Sequence, residues 1–177
     1  MKSAIKEYIK IGLLVLLIVV PIRYFIFQPF LVQGSSMEPN FESGDYLIVD
    51  EISYRFSDPK RGDVIIFNSP VQPVKYIKRV IGLPGETVKI ENGKVYIKKQ
   101  GSNEFKLLQE PYTDIFTEGR AEITLKEGEY FVMGDNRFAS YDSRSWGVLK
   151  RNKIIGRVLI RLWPISKIDI IENPFNK

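Results

Sequence analysis

The chain is 177 residues long, enough for one domain or one core with a modest insertion, and 44% of its residues are apolar, enough to pack that core. It has no cysteine and no histidine, which excludes disulfides, thiolate nucleophiles, cysteine zinc sites, Ser-His-Asp and Cys-His catalysis and imidazole-bound metals; an enzyme of this sequence must draw its general base from Lys, Asp, Glu or Tyr. The net charge of +5 fits a lysine-rich surface or proximity to anionic lipid, and no basic run with interleaved aromatics marks a nucleic-acid face.

Met1 to Lys10 carries Lys2, Lys6 and Lys10 against the single acid Glu7, and Ile11 to Ile22 is uncharged and almost wholly apolar. Arg23 follows, then Tyr24-Phe25-Ile26-Phe27. The uncharged core is short of the roughly 20 residues that span a bilayer. Lys10 and Arg23 can snorkel, however, and the aromatics suit an interface, so a helix over 8–27 just crosses. From Arg23 to Arg55 there is no Lys or Arg, while Glu38, Glu42, Asp45, Asp50 and Glu51 fall between. That asymmetry keeps residues 1–7 in the cytoplasm and puts the body of the chain outside. A cleaved secretory leader, with Val32-Gln33-Gly34 as a weak cleavage site, is disfavoured by Arg23 and by the apolar Phe30-Leu31-Val32 beyond it. The one-sided charge disfavours a buried helix.

From Phe30 onward the signals are β. Phe30 to Val32, Tyr46 to Val49, Val64 to Phe67 and Val74 to Ile81 read as strands, the third buried because its apolar run is unbroken. Between the first two lies Gly34-Ser35-Ser36-Met37-Glu38-Pro39, two serines and a helix-stopping proline. Val88 to Ile90 and Val95 to Ile97 flank Asn92-Gly93, the signature of a type I′ hairpin. Lys98 to Arg120 is polar and irregular and reads as a surface excursion. Ile123 to Leu125 and Tyr130 to Met133 resume strands, Gly134 to Gly147 is a polar loop, and Ile154 to Trp163 is a core strand ended by Pro164.

A serine hydroxyl is a poor nucleophile until a base takes its proton. With histidine absent, a neutral lysine amine is the natural base, and a lysine becomes neutral near pH 7 only in apolar surroundings. Side chains alternate along a strand, so Tyr76, Lys78 and Val80 share one face and Lys75, Ile77 and Arg79 the other. Lys78 is therefore the lysine best placed to be buried. The alternative register puts Lys78 in solvent and Ile77 inside. Ser36 is the candidate nucleophile; the same Ser-Ser pair also fits a turn whose hydroxyls bond its own backbone. Asp63, Asp135 and Asp142 remain open as alternative bases, and no acid pair sits at a diagnostic spacing.

Four blocks in order make the chain resemble the bacterial type I signal peptidases, membrane-anchored Ser-Lys proteases. They are Gly34 to Pro39, Arg61 to Phe67, Tyr76 to Glu86, and Gly134 to Arg137 running on through Ser140 to Gly147. The resemblance implies Ser36 as nucleophile, Lys78 as general base, Ser140 as the hydroxyl that orients the lysine, and Asp142 with Arg144 as a supporting pair. It implies that the Ser36 N–H binds the oxyanion, and that Phe30, Val32, Met37, Tyr76 and Ile77 line shallow pockets. These pockets accept small residues one and three places before the cut. It implies no cofactor, no metal and no nucleic acid, and as partners secretory preproteins, membrane lipid and a nearby Sec translocon. Gly34 stands where some Gram-negative relatives place a second hydroxyl, as in the compact Gram-positive type. Phe138-Ala139 replaces the usual Asp-Asn, and Glu86 the commoner Asp.

The expected architecture is mainly β: a signal-peptidase-like ectodomain of residues 28–85 and 128–177, a small inserted subdomain at 86–127, and one transmembrane anchor. The expected activity is removal of N-terminal signal peptides at the outer face of the plasma membrane, through an acyl-enzyme. The other readings are an inactive membrane-tethered domain that binds exported chains and a self-cleaving Ser-Lys repressor relative.

Overall fold

The unbroken apolar run of the third expected strand has a simple cause: both of its faces are covered. Val64 and Ile66 pack with Met37, Phe41, Leu47 and Ile77, while Ile65 and Phe67 pack with Val80, Tyr130 and Val132. A strand in that position has no solvent face and so loses its alternation. In this computed structural model, residues 2–25 and 27–175 are described, with side chains described over 6–17 and 28–175.

The chain begins with helix α1 (Lys2–Phe25), then β1 (Phe27–Leu31), β2 (Tyr46–Asp50), the short helix α2 (Ser53–Phe56), β3 (Val64–Asn68) and β4 (Lys75–Gly82). Next come β5 (Thr87–Glu91), β6 (Lys94–Lys98), β7 (Lys106–Leu107) and β8 (Ala121–Thr124). The chain closes with β9 (Glu129–Met133), α3 (Ser143–Trp146), β10 (Leu149–Lys150), β11 (Ile154–Trp163) and β12 (Asp169–Ile170). The main sheet has eight strands in the order β1-β2-β11-β3-β4-β9-β10, with β12 on β11, and β5 to β8 form a four-stranded sheet in the order β7-β6-β5-β8. The protein is mainly β, as its pattern of short apolar runs indicated.

Asn92 and Gly93 both take positive φ, +51° and +77°, and join Glu91 to its partner Lys94. That is the backbone a type I′ hairpin requires. The core strand Ile154–Trp163 also has the expected limits.

Other parts differ. β1 stops at Leu31, because Val32 pairs instead with the 44–45 turn: its N–H donates to the Asp45 carbonyl and its carbonyl accepts from Gly44. α2 and α3 were not expected. Each is a single turn held by one carboxylate: Asp50 Oδ1 accepts the Ile52 and Ser53 N–H groups, and Asp142 caps α3. The segment Lys98 to Arg120 is more than a surface excursion. Leu108 and Tyr112 pack on the second sheet's core and Thr117 is buried.

Among the described residues no helix is long and apolar enough to cross a membrane. The anchor expected over 8–27 includes Ile26 and the side chains of residues 18–27, so the snorkelling Arg23 and the interfacial aromatics lie outside the described residues, as does Met1 of the expected cytoplasmic segment.

Candidate active site

Two segments meet at one end of the main sheet. The serine loop leaves β1 through Gly34, whose φ of +86° suits a residue without a side chain. It is pinned at its far end by Met37 and Phe41, both buried in the core. The lysine segment is β4. Its first half, before Arg79, pairs only with β3, because the pairing with β9 starts at Arg79, opposite Met133. The outer edge of β1 is also unpaired in the sheet, so β1 and the start of β4 face each other with open edges. A cleft of about 380 Å³ lies between them, lined by Phe30, Leu31, Ser36, Tyr76, Ile77 and Lys78 among others. Lys75 Nζ bridges its far end, donating to Gln28 Oε1 at 3.1 Å.

Lys78 is 3% exposed, and its Nζ lies 2.7 Å from Ser36 Oγ and 3.0 Å from the Ile77 carbonyl oxygen. Burial lowers its pKa to about 8; the carboxylates of Asp142 and Asp135 oppose that shift and the Arg144 guanidinium adds to it. At pH 7 a pKa of 8 leaves about one amine in ten neutral, against about one in three thousand at the ordinary 10.5. The two registers open for β4 turn out not to compete. Ile77 and Lys78 are both buried, since each face of the strand is covered.

Of the other expected site residues, Phe30, Tyr76 and Ile77 line the cleft. Val32 and Met37 are each 1% exposed and pack in the core with Ile77, so they shape the cleft from beneath rather than line it. Asp142 accepts the Gly134 N–H at 3.1 Å and pairs with Arg144 at 2.8 Å; Arg144 Nη2 donates on to the Arg137 carbonyl. The Ser140 hydroxyl is buried without a hydrogen-bond partner, so the expected bond to Lys78 is not among the described contacts. It packs against Gly134, where an added Cβ would run into both Ser140 Oγ and the Ser36 carbonyl oxygen. Despite Phe138-Ala139, the turn keeps a local bond, because Asn136 Oδ1 accepts the Ala139 N–H.

The three aspartates left open as bases are engaged elsewhere. Asp63 accepts from Tyr54, Lys60 and Asn173, Asp135 from Arg79 and Asn40, and Asp142 from Arg144 and Gly134. No motif in the sequence gave a role to the Arg79–Asp135 pair, which is bidentate at 2.8 and 2.6 Å, nor to Asn40 and Asn136. Arg137, fully buried and paired with Glu110 of the inserted segment, was missed as well. The available signal was an arginine amid the apolar residues of β4, since a buried guanidinium requires a partner. No pattern in the sequence names that partner.

A family model described as signal peptidase, peptidase S26, matches residues 5–163. The chain is 40% identical over 182 residues to a signal peptidase I of Leptolyngbya laminosa, covering 97% of this chain and 86% of that one. It is 39% identical over 171 residues to a probable signal peptidase I-1 of Synechocystis, covering 92% and 85%. A crystal structure of a signal peptidase I from Enterococcus faecalis aligns with a TM-score of 0.49 at 33% identity, over 57% of this chain and 97% of that one.

Proposed function

The chain belongs to the signal peptidase family, peptidase S26, and from that membership we propose that it removes signal peptides from exported preproteins with Ser36 as nucleophile and Lys78 as general base. The observation that carries this reading is the 2.7 Å contact between the Ser36 hydroxyl and the Lys78 amine, on a lysine that burial makes neutral far more often than a lysine in water.

The neutral amine takes the Ser36 proton as Oγ attacks the scissile carbonyl carbon. The oxygen of the tetrahedral intermediate accepts the Ser36 N–H, which has no acceptor among the described residues. Lys78, now an ammonium, gives its proton to the departing amine, and the signal peptide remains as an ester on Ser36. Lys78 then deprotonates a water that attacks the ester, and Oγ recovers its proton as the carboxylate leaves. Asp142 with Arg144 holds the loop that carries Ser140, whose buried hydroxyl has no other partner among the described residues and is the group left to orient the lysine during the reaction. The substrate runs as an added strand between the open edges of β1 and β4, with Phe30, Tyr76 and Ile77 selecting small side chains and Val32 and Met37 supporting them from below.

The anchor is residues 8–27, with 1–7 in the cytoplasm, the catalytic core at 28–85 and 128–177 outside, and 86–127 as the inserted subdomain. In support, Leu13, Leu14, Leu16 and Leu17 of α1 stand 57–73% exposed, an apolar helix surface that lipid would cover. This holds the site at the outer surface of the plasma membrane, against lipid and near the Sec translocon.

The test is preprotein cleavage in detergent by the wild type, Ser36→Ala and Lys78→Met. Both variants should stay folded and lose cleavage by at least a thousandfold. Variants that cut at the wild-type rate would remove the dyad from these residues.

A further inference from the structure

Asn136 makes three hydrogen bonds where the last loop meets the serine loop. Its Nδ2 donates to the Ser35 carbonyl at 3.1 Å, its backbone N–H donates to the Ser36 carbonyl at 3.1 Å, and its Oδ1 accepts the Ala139 N–H at 3.2 Å. A peptide unit is planar and trans, so a carbonyl and the next N–H point in opposite directions within one plane. Holding the Ser35 carbonyl therefore fixes where the Ser36 N–H points. Holding the Ser36 carbonyl fixes the plane that follows. Gly34, exposed and at positive φ just upstream, gives this loop freedom. The Glu38 N–H also donates to the Ser35 carbonyl at 3.2 Å, within the turn itself, and Asn136 adds the holds on the Ser35 and Ser36 carbonyls that come from outside the loop. Gly34 also supplies no hydroxyl to share the oxyanion with the Ser36 N–H.

Resting on the reading of Ser36 as nucleophile, we propose that Asn136 is a positioning residue: through the Ser35 carbonyl it aims the Ser36 N–H at the oxyanion of the tetrahedral intermediate. It touches neither substrate nor the reacting atoms. Its role differs from that of a staple between two loops, because an oxyanion donor acts on the transition state and hardly on the bound substrate.

The experiment compares the full-length wild type with Asn136→Ala and Asn136→Asp in detergent. Asp keeps the side chain's shape and the acceptor for Ala139 but offers no donor to Ser35. Three quantities are read: kcat, KM, and inhibition by a peptide aldehyde that ends at the residue before the cut. The hemiacetal that this aldehyde forms with Ser36 puts an oxygen where the oxyanion would be. Both variants should lose about ten- to a hundredfold in kcat with KM within about twofold, and the aldehyde should weaken by the same factor as kcat/KM. An unchanged kcat, an Asp variant as fast as wild type, or aldehyde inhibition that holds while kcat falls would overturn the inference. A Ser36→Ala control that still cleaves would overturn it together with the dyad; an inert control beside an unaffected Asn136→Ala overturns this inference alone.

Discussion

The amine of Lys78 owes its low proton affinity to burial at the base of the cleft beside the Ser36 hydroxyl; the Ile77 carbonyl and the Tyr76 ring near it favour the ammonium and do not offset that burial. Desolvation disfavours the ammonium, so the neutral form gains as pH rises through about 8. In the proposed mechanism the amine acts only when neutral, so kcat/KM should climb about tenfold per pH unit below that value and level off above it, as read from a pH–rate profile. Arg144 is a cation that lowers this pKa, and Asp142 a carboxylate that raises it. Arg144→Ala should therefore move the acid limb to higher pH, with activity at pH 6.5 falling more than activity at pH 9. A limb that stays put would mean Arg144 acts only by holding the loop.

The two segments that meet at the cleft are kept together by charged pairs that cross between elements. Arg79 of β4 binds Asp135, and Asp135 binds Asn40 at the end of the serine loop, so one buried ion pair ties the lysine strand to that loop. Arg137, two positions beyond Asp135, reaches Glu110 and Thr117, which ties the segment 98–120 to the loop after β9. The Arg137 side chain is fully buried and that of Glu110 nearly so. Removing one partner of such a pair leaves a charge without water or counter-ion, at a cost of roughly 3–5 kcal/mol. Glu110→Ala should therefore lower stability by about that amount in chemical denaturation, although Glu110 lies in a stretch that reads as polar surface. Glu110→Gln should cost less, because the amide oxygen still accepts from the guanidinium.

At the scale of the whole molecule, the catalytic sheets and α1 make different demands on their surroundings. The sheets bury their own cores, whereas the described apolar side chains of α1 are exposed. The chain should therefore sediment with membranes, resist extraction by high salt or carbonate, and dissolve in detergent. A chain shortened to begin just before β1 should keep the melting temperature of the full-length protein and cut soluble peptides at a similar rate. It should process membrane-inserted preproteins more slowly. Equal rates on both substrates would deny the anchor a part in positioning the site.

Composition and order along the chain decided which chemistry was open. The lack of histidine and cysteine left Lys, Asp, Glu or Tyr as the base, and the resemblance carried by the ordered blocks implied Lys78 among them before any fold was known. The Asn92-Gly93 turn, the limits of β11 and the mainly β character were legible too, because they rest on neighbours in sequence. Tertiary structure decided what depends on partners far along the chain. Alternation could place Lys78 and Ile77 on opposite faces of β4, but only the layers stacked on both sides bury the two together. The pairing of Arg79 with Asp135, of Arg137 with Glu110 and of Asn136 with the serine loop spans 27 to 101 positions of chain. A buried polar group demands a partner, and the local sequence does not say which; that choice is made when the sheets close on one another.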